Sequence, residues 1–189
     1  EIVMDITGST APELKITGGT LDVTNWRITD DCANAGGKPQ VSGGTFASAV
    51  DESYCAAGYI PTLNADGTYG VKEGEYLVRI GEVKYETLAD AVAAATNGDT
   101  IILIKDILLS EQVAIGKAIT IDGDGHEIKA TKKLVGATNK AGMFYRTTSA
   151  QGTLTFTNIT LNGNGVSKIF LNEGGAGETV FDTVVSTNG

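Results

Sequence analysis

Three acidic side chains in a short glycine-rich segment come nearest to a recognisable ligand set in this chain. Asp122 and Asp124 alternate with glycines, and Glu127 follows shortly after them. Carboxylate oxygens are the ligands that Ca²⁺ prefers. Asp is also favoured in tight turns, because its side chain bonds to the backbone that follows. We therefore interpret the segment as a turn and predict neither a metal nor a cofactor.

Two further residue types could do chemistry, but their surroundings argue against it. Asp30 and Asp31 are adjacent, and glycoside hydrolysis needs two carboxyls that flank one bond. Neighbouring residues of a strand point to opposite faces, so in a strand these two would not share a substrate. His126 is the only histidine and lacks companions for a metal site or a Ser-His-Asp triad. We interpret it as an exposed turn residue and predict that the chain is not an enzyme.

The candidate binding residues are Trp26 and Arg27, which are adjacent in the sequence. Trp and Arg are enriched at the hot spots of protein interfaces, and an indole ring can also stack on a sugar. Core or corner packing is the alternative for Trp26. The sequence leaves both interpretations open.

The composition excludes several classes of partner. The formal net charge is −9, from 14 Lys and Arg against 23 Asp and Glu. An acidic chain without a basic cluster lacks the electrostatic footprint for phosphate backbones or anionic lipids. Its longest apolar run is interrupted by Lys105 and Asp106, and falls short of the ~20 residues that a membrane span needs. We expect neither nucleic-acid binding nor membrane insertion.

A repeat with a period of 25 residues predicts the architecture. The phrase that begins at Ile16 returns in similar form at Val41, and the phrase at Phe156 is echoed from Phe181. Fixed periods of roughly 20 to 50 residues are typical of repeat proteins, in which each unit buries its apolar face on the next. The units are rich in β-branched residues, Gly and Asn. We predict an all-β fold, a β-solenoid of stacked parallel coils, with Phe46, Phe156 and Phe181 in its core.

The two cysteines bear on this stacking. Cys32 and Cys55 lie close to one repeat apart. Stacked coils lie roughly 4.8 Å apart, within the usual Cα spacing of a disulfide. A disulfide between them and two buried thiols acting as small apolar fillers both remain open.

The pattern along the chain indicates three segments: 1–50 as the end of a first solenoid block, 51–80 as a connector or cap, and 81–189 as a second block. Asp66 and Gly67 between apolar runs predict a hairpin in the connector. Apolar residues spaced along one helical face predict a capping helix over 86–97. We expect this helix to cover the open end of the second block, because an uncovered solenoid end exposes unpaired strands.

Both chain ends suggest a piece cut from a longer protein. The chain opens at Glu1 rather than at Met, in a strand-like run, and stops at Gly189 inside what looks like a repeat. We therefore expect a monomeric fragment of a longer chain, and the missing targeting segment carries no weight.

Two stretches resemble known families. The run from Tyr85 into an alanine-rich helix, followed by 98–101 and 118–123, resembles the N-terminal cap and first coil of pectin-lyase-like parallel β-helix proteins. The stretch 41–71 is similar to repeat modules of large surface proteins of gut Firmicutes. The second resemblance implies a secreted or wall-attached protein with adhesin-like repeats that are not enzymes. The first implies only the fold, a right-handed parallel β-helix, since this fold also hosts lyases, hydrolases and pure binders.

The leading hypothesis is a non-catalytic segment of an extracellular bacterial surface protein. It would act as a stalk or display surface that contacts a host glycoprotein, an immunoglobulin or a glycan. The alternative is a polysaccharide-active lyase or glycosidase-like enzyme, or a carbohydrate-binding remnant of one. Lyases of this fold hold calcium on clustered acidic residues and use Arg or Lys as base, which would cast Asp122, Asp124, Glu127 and Arg146 or Lys129 in those roles.

Overall fold

The structure is a computed structural model that describes residues 1–4, 10, 12–135, 142–165, 168–172 and 174–187. Strands make up 51% of it and helices 9%, so the predicted all-β class is confirmed. The sheets are mixed rather than wholly parallel. The chain divides into two compact units, Glu1–Glu75 and Tyr76–Gly189. The boundary falls inside the segment 51–80 that the sequence indicates as a connector.

The first unit contains strands, one short α-helix and a 3₁₀ turn. In chain order these are β1 (Ile2–Met4), β2 (Leu14–Leu21), β3 (Trp26–Ile28), α1 (Asp30–Asn34), β4 (Pro39–Phe46), the 3₁₀ turn (Glu52–Tyr54), β5 (Tyr59–Leu63) and β6 (Tyr69–Glu73).

The 25-residue repeat of the first unit corresponds to the register in which two of its strands pair. Strands β2 and β4 pair in parallel with Ile16 opposite Val41, 25 residues apart as the sequence predicts. Thr17 then pairs with Gly43 across an irregularity in the register. The Cα of Gly43 lies so close to the Thr17 carbonyl that a Cβ there would clash. The glycine is therefore required by the close approach of two backbones.

The predicted hairpin around Asp66 and Gly67 is confirmed. Strands β5 and β6 pair antiparallel, Gly67 has a φ of 83°, and Asp66 accepts a hydrogen bond from the Thr68 backbone N–H at 3.0 Å. Strand β6 also pairs antiparallel with β4, so the hairpin extends the sheet of the first unit. The core of this unit is small and contains Ile16, Val41, Phe46 and Val50.

The second unit contains a hairpin, one helix and the longer series of strands. In chain order these are β7 (Val78–Ile80), β8 (Val83–Tyr85), α2 (Leu88–Ala94), β9 (Thr100–Leu103), β10 (Ile107–Glu111), β11 (Val113–Ile115), β12 (Thr120–Asp122), β13 (Glu127–Val135), β14 (Phe144–Arg146), β15 (Thr153–Asn162), β16 (Phe170–Asn172) and β17 (Glu178–Thr187).

Parallel pairing arranges most of these strands in three columns. Strand β12 pairs with β9 and with the first half of β15. Strand β13 pairs with β10 and with the second half of β15, and β17 follows the whole of β15. Strand β14 pairs with β11 and β16 to form a separate three-stranded sheet. Because β15 belongs to two columns, these join into one sheet that curls into a half-barrel.

Long strands cross from one column to the next through a left-handed residue. Asn158 in β15 has a φ of 48°, and Thr183 in β17 has a φ of 54°. Both lie between the register pairs Thr157–Asp182 and Ile159–Val184. The two strands therefore bend at the same level, and Asn is among the residues that adopt this conformation most readily.

One inward column shows how the second core is built. Ile121 lies opposite Ile101 on one side and Phe156 on the other, and Phe156 lies opposite Phe181. The last two rings are stacked with centroids 5.3 Å apart and an angle of 8°. Ile101, Ile121 and Phe156 are fully buried, whereas Phe181 at the edge is 47% exposed. The predicted core positions of Phe46 and Phe156 are confirmed, whereas that of Phe181 is wrong because this ring lies on the last strand and stays partly exposed.

Helix α2 lies within the predicted span 86–97 but is shorter. Thr87 caps its N-terminus by accepting a hydrogen bond from the Asp90 N–H at 3.0 Å. Lys117, which follows β11, donates to the carbonyls of Val92 and Ala93 at 2.9 and 2.7 Å. The helix contacts β7, β8 and β11. Its buried side chains join the core of the second unit.

Candidate functional site

The residues that could have formed a catalytic cluster are not brought together. Asp122 serves its own turn, where Oδ1 accepts from the Asp124 N–H at 2.9 Å and from Asn158 Nδ2 at 3.3 Å. Glu127 accepts from Asn162 Nδ2 at 2.9 Å. Arg146 lies on β14, in the three-stranded sheet. The described residues contain no group of three His, Cys, Asp or Glu side chains that could hold a metal ion.

Arg146 is fully buried. Its guanidinium donates to the carbonyls of Lys117, Gln151 and Gly152 at 3.2, 3.4 and 2.7 Å, and Nε has no hydrogen-bond partner. Burial lowers the pKa of this group, although a guanidinium stays protonated in proteins. The role of a substrate-facing base, which the sequence left open for Arg146, is therefore wrong. The side chain instead connects the turn after β14 to the segment after β11 by hydrogen bonds.

His126 and Asp106 form an exposed pair. Nδ1 of His126 lies 3.1 Å from Oδ1 of Asp106, which also accepts the Glu127 N–H at 2.9 Å. The hydrogen bond from the Glu127 backbone, followed by that from His126, lowers the pKa of Asp106. The pair ties the turn before β13 to the turn before β10, and we find no nucleophile beside it among the described contacts.

Asp30 and Asp31 lie in a helix that the sequence analysis missed. Both are in the first turn of α1, and the N-cap residue Thr29 accepts a hydrogen bond from the Cys32 N–H at 3.4 Å. The signal was a Thr followed by two acidic residues, which is a common helix start. The argument from sequence against this pair used strand geometry, which does not apply in a helix.

Trp26 and Arg27 point in different directions. The Trp26 ring is half-buried and packs against Phe46 and Tyr54, with centroids 5.8 and 5.4 Å apart. Arg27 is exposed, and its Nε lies 3.7 Å from Oε1 of Glu1. Strand alternation separates the two side chains. They do not form one contact patch, and Trp26 belongs to the packing of the first unit.

The two cysteines are free thiols, so the disulfide considered from their spacing is not formed. Cys32 is buried in α1, and its Sγ lies 3.8 Å from the Gly37 carbonyl. Cys55 forms a parallel bridge with Val41, and its Sγ lies 3.7 Å from the Asp51 carbonyl. The spacing of the two cysteines does not bring them together, because Cys55 follows a 3₁₀ turn and pairs with β4 rather than with α1.

The outward side chains of β9, β12 and β15 form a polar face in the second unit. Thr100, Thr120 and Thr155 lie opposite one another on neighbouring strands, and Val180 continues the row. A second row contains Ile102, Asp122, Thr157 and Asp182. Each row repeats at the interstrand spacing of roughly 4.8 Å, which creates a regular surface of hydroxyl, methyl and carboxylate groups.

A cavity of about 460 Å³ lies between α2 and β10. We call it the α2–β10 groove. It is lined by Leu77, Thr87, Leu88, Ala89, Asp90, Ile107, Leu108, Leu109, Ser110, Glu111, Gln112 and Val113. The sequence analysis did not place β10, although Ile107–Glu111 begins with the apolar run that signals a strand.

Comparisons with protein-family models, curated proteins and solved structures find no match to this chain. None of the described helices is long and apolar enough to cross a membrane.

Proposed function

We propose that this chain is a non-catalytic segment of an extracellular bacterial surface protein, whose second unit is a right-handed parallel β-helix that displays a binding face to a host protein or glycan. The observation that carries the proposal is the parallel stack of β9, β12, β15 and β17 in one register. Right-handed crossovers are the rule between parallel strands. This handedness and the surface-repeat origin are both parts of the proposal.

The stack supports a display function for a physical reason. Each added strand repeats the same backbone path, so outward side chains line up in rows while the inward ones form a continuous core. The rows of Thr100, Thr120 and Thr155 and of Asp122 and Asp182 offer many hydrogen-bonding groups on a stiff surface. Such a surface suits recognition of a glycan or a glycoprotein, whose hydroxyl groups pair with side chains of this kind.

The net charge shapes the expected partner. At −9, the chain repels acidic partners over distances within the Debye length. A host immunoglobulin or glycoprotein that offers a basic or neutral patch fits better than nucleic acid or an anionic lipid surface.

The experiment uses the purified chain as bait in mucosal secretions. We expect saturable retention of a defined host protein or glycan, identified by mass spectrometry and then reproduced with the purified component. The control bait is an unrelated β-protein of similar size and charge. A glycan array separates the two partner classes, because discrete sugar specificity favours a glycan and binding to protein alone favours an adhesin or immunoglobulin binder.

A catalytic result would contradict the proposal. Turnover of pectin or another uronic-acid polymer by the purified chain would favour the polysaccharide-active alternative. A double variant, Thr120→Lys with Thr155→Lys, alters the polar face without touching the core. If this variant retains the same partner with unchanged affinity, the face described above is not the binding surface.

A further inference from the structure

One edge of the first coil in the second unit is uncovered. This coil consists of β9, β10 and β11. Strand β9 is covered by β7, which pairs with it antiparallel, and β11 is contacted by α2. Strand β10 pairs with β13 on one side, and no described strand pairs with its other side. An unpaired strand edge offers backbone donors and acceptors that another strand can use.

The α2–β10 groove runs beside this open edge, and part of its lining is apolar. Leu77, Leu88 and Val113 line it together with β10 itself. Leu108 in the middle of β10 is 68% exposed, which is unusual for a leucine in a strand that belongs to a packed sheet. The groove therefore combines an open edge with apolar surface, the two features that extended-peptide sites use.

The charge on the groove limits what can bind there. Asp90 and Glu111 are both exposed and line it, and no Lys or Arg is among its lining residues. Asp90 accepts a hydrogen bond from Thr87 Oγ1 at 2.6 Å, which orients its carboxylate. A partner segment with basic residues would complement these carboxylates, whereas an acidic segment would be repelled.

We infer that the α2–β10 groove binds an extended basic–apolar peptide segment of a partner protein, which adds as a strand to the free edge of β10. Alternate side chains of the segment would reach Leu108 and the apolar wall, and its Lys or Arg residues would lie near Asp90 and Glu111. This inference rests on the proposed function, of which it names one contact site and the chemistry of the partner.

The test measures fluorescence anisotropy of a labelled peptide, Lys-Val-Thr-Val-Lys, with the full chain at low salt. We expect saturable binding of this peptide and binding at least about tenfold weaker for the matched peptide Glu-Val-Thr-Val-Glu. A third peptide, with N-methylated valines, keeps the charges but loses the backbone donors that strand pairing requires. We expect its binding to be lost.

Two substitutions in the groove have matched controls elsewhere. Leu108→Lys places a charge on the open edge, and we expect it to abolish binding because charged side chains block edge pairing. Its control is Leu63→Lys in β5, since Leu63 is exposed to a similar extent, 65%. Glu111→Lys should weaken binding about tenfold, with Glu82→Lys as its control. Far-UV circular dichroism of each variant shows whether the fold is kept.

Four results would overturn the inference. Equal binding of the N-methylated peptide would exclude strand addition, and unchanged binding to Leu108→Lys would exclude this groove. Self-association of the chain that Leu108→Lys abolishes, seen by analytical ultracentrifugation, would make a second copy the occupant. If the peptide fails to bind while a host component is still retained from secretions, this inference falls and the proposed function stands.

Discussion

At the scale of single residues, polar side chains that could have served chemistry instead form hydrogen bonds between neighbouring strands and turns. Arg146 donates to three backbone carbonyls. The Asn158 side chain donates to Asp122, and Asp106 accepts a hydrogen bond from the Glu127 backbone. A buried polar group is costly unless it is hydrogen-bonded, so these contacts are part of what fixes the register of the stack.

Replacing Arg146 by lysine should destabilise the second unit. An ammonium on a flexible stem cannot span three carbonyls as the planar guanidinium does, and unsatisfied buried carbonyls remain. We expect a loss of about 2 kcal/mol in the free energy of unfolding, measured by urea denaturation with far-UV circular dichroism. Arg79→Lys is the control, because Arg79 donates to the Gly81 carbonyl at an exposed position. Equal stability of both variants would contradict the proposed role of Arg146.

The reactivity of Cys55 should depend on pH in a defined direction. Burial, and then the charges of Glu52 and Asp51, raise the pKa of its thiol from the ordinary 9.0 to about 11. The thiolate is the reactive form, so alkylation by iodoacetamide at pH 8 should be about 100-fold slower than in denaturant and should rise with pH up to about 11. Mass spectrometry with a Cys32→Ser variant isolates this site. A rate equal to that of the unfolded chain would contradict the raised pKa.

At the scale of elements, α2 depends on residues outside its own sequence. A helix of this length is marginal alone in water, and its C-terminal carbonyls are capped by Lys117 rather than by a glycine beside them. The same lysine favours the negative end of the helix dipole. Helix α2 is therefore stable only once the first coil has folded beneath it.

Replacing Lys117 by methionine should remove both contacts while keeping the aliphatic stem. We expect a loss of about 1 kcal/mol in the free energy of unfolding, and faster amide hydrogen exchange in α2. Lys15→Met is the control, since Lys15 pairs with Glu13 and both are exposed. Unchanged exchange in α2 would show that the capping contacts do not stabilise it.

The stacked rings of Phe156 and Phe181 differ in burial, so their substitutions should differ in cost. Phe156 is fully buried, and Phe181 is 47% exposed at the same level of the next strand. Phe156→Ala should cost about 3–5 kcal/mol, because it leaves a cavity, whereas Phe181→Ala should cost about 1 kcal/mol. Chemical denaturation of the two variants under identical conditions gives the comparison. Equal losses would mean that Phe181 is covered in solution.

At the scale of the whole molecule, the two units have separate cores. The first core is small, and the second contains most of the buried aliphatic residues. Compact units with their own cores tend to unfold separately. The only tryptophan, Trp26, lies in the first unit, so its emission reports on that unit alone.

A substitution in the first core should therefore move one transition and not the other. Val50→Ala should lower the stability of the first unit by about 2 kcal/mol and shift the urea midpoint of Trp26 emission. The circular dichroism transition, dominated by the second unit, should stay near its wild-type midpoint. A matching shift of both probes would show that the units unfold as one.

The sequence by itself determined the elements whose causes are local or periodic. The 25-residue repeat predicted the pairing of Ile16 with Val41 and of Phe156 with Phe181, because residues that stack must recur at a fixed interval. The Asp66–Gly67 hairpin and α2 followed from turn chemistry and from one apolar face. Local rules of this kind also carried the signal for α1 and β10, which were missed.

Only the tertiary structure decided what depends on distant parts of the chain. Arg146 is buried on β14, which lies between β11 and β16. No local pattern in the sequence indicates that its guanidinium donates to three backbone carbonyls. Cys55 pairs with Val41 rather than approaching Cys32 because the turn before it interrupts the repeat. The α2–β10 groove exists because two strands of the first coil are covered and the third is not. Such features depend on which surfaces meet after folding, and a period in the sequence does not contain that information.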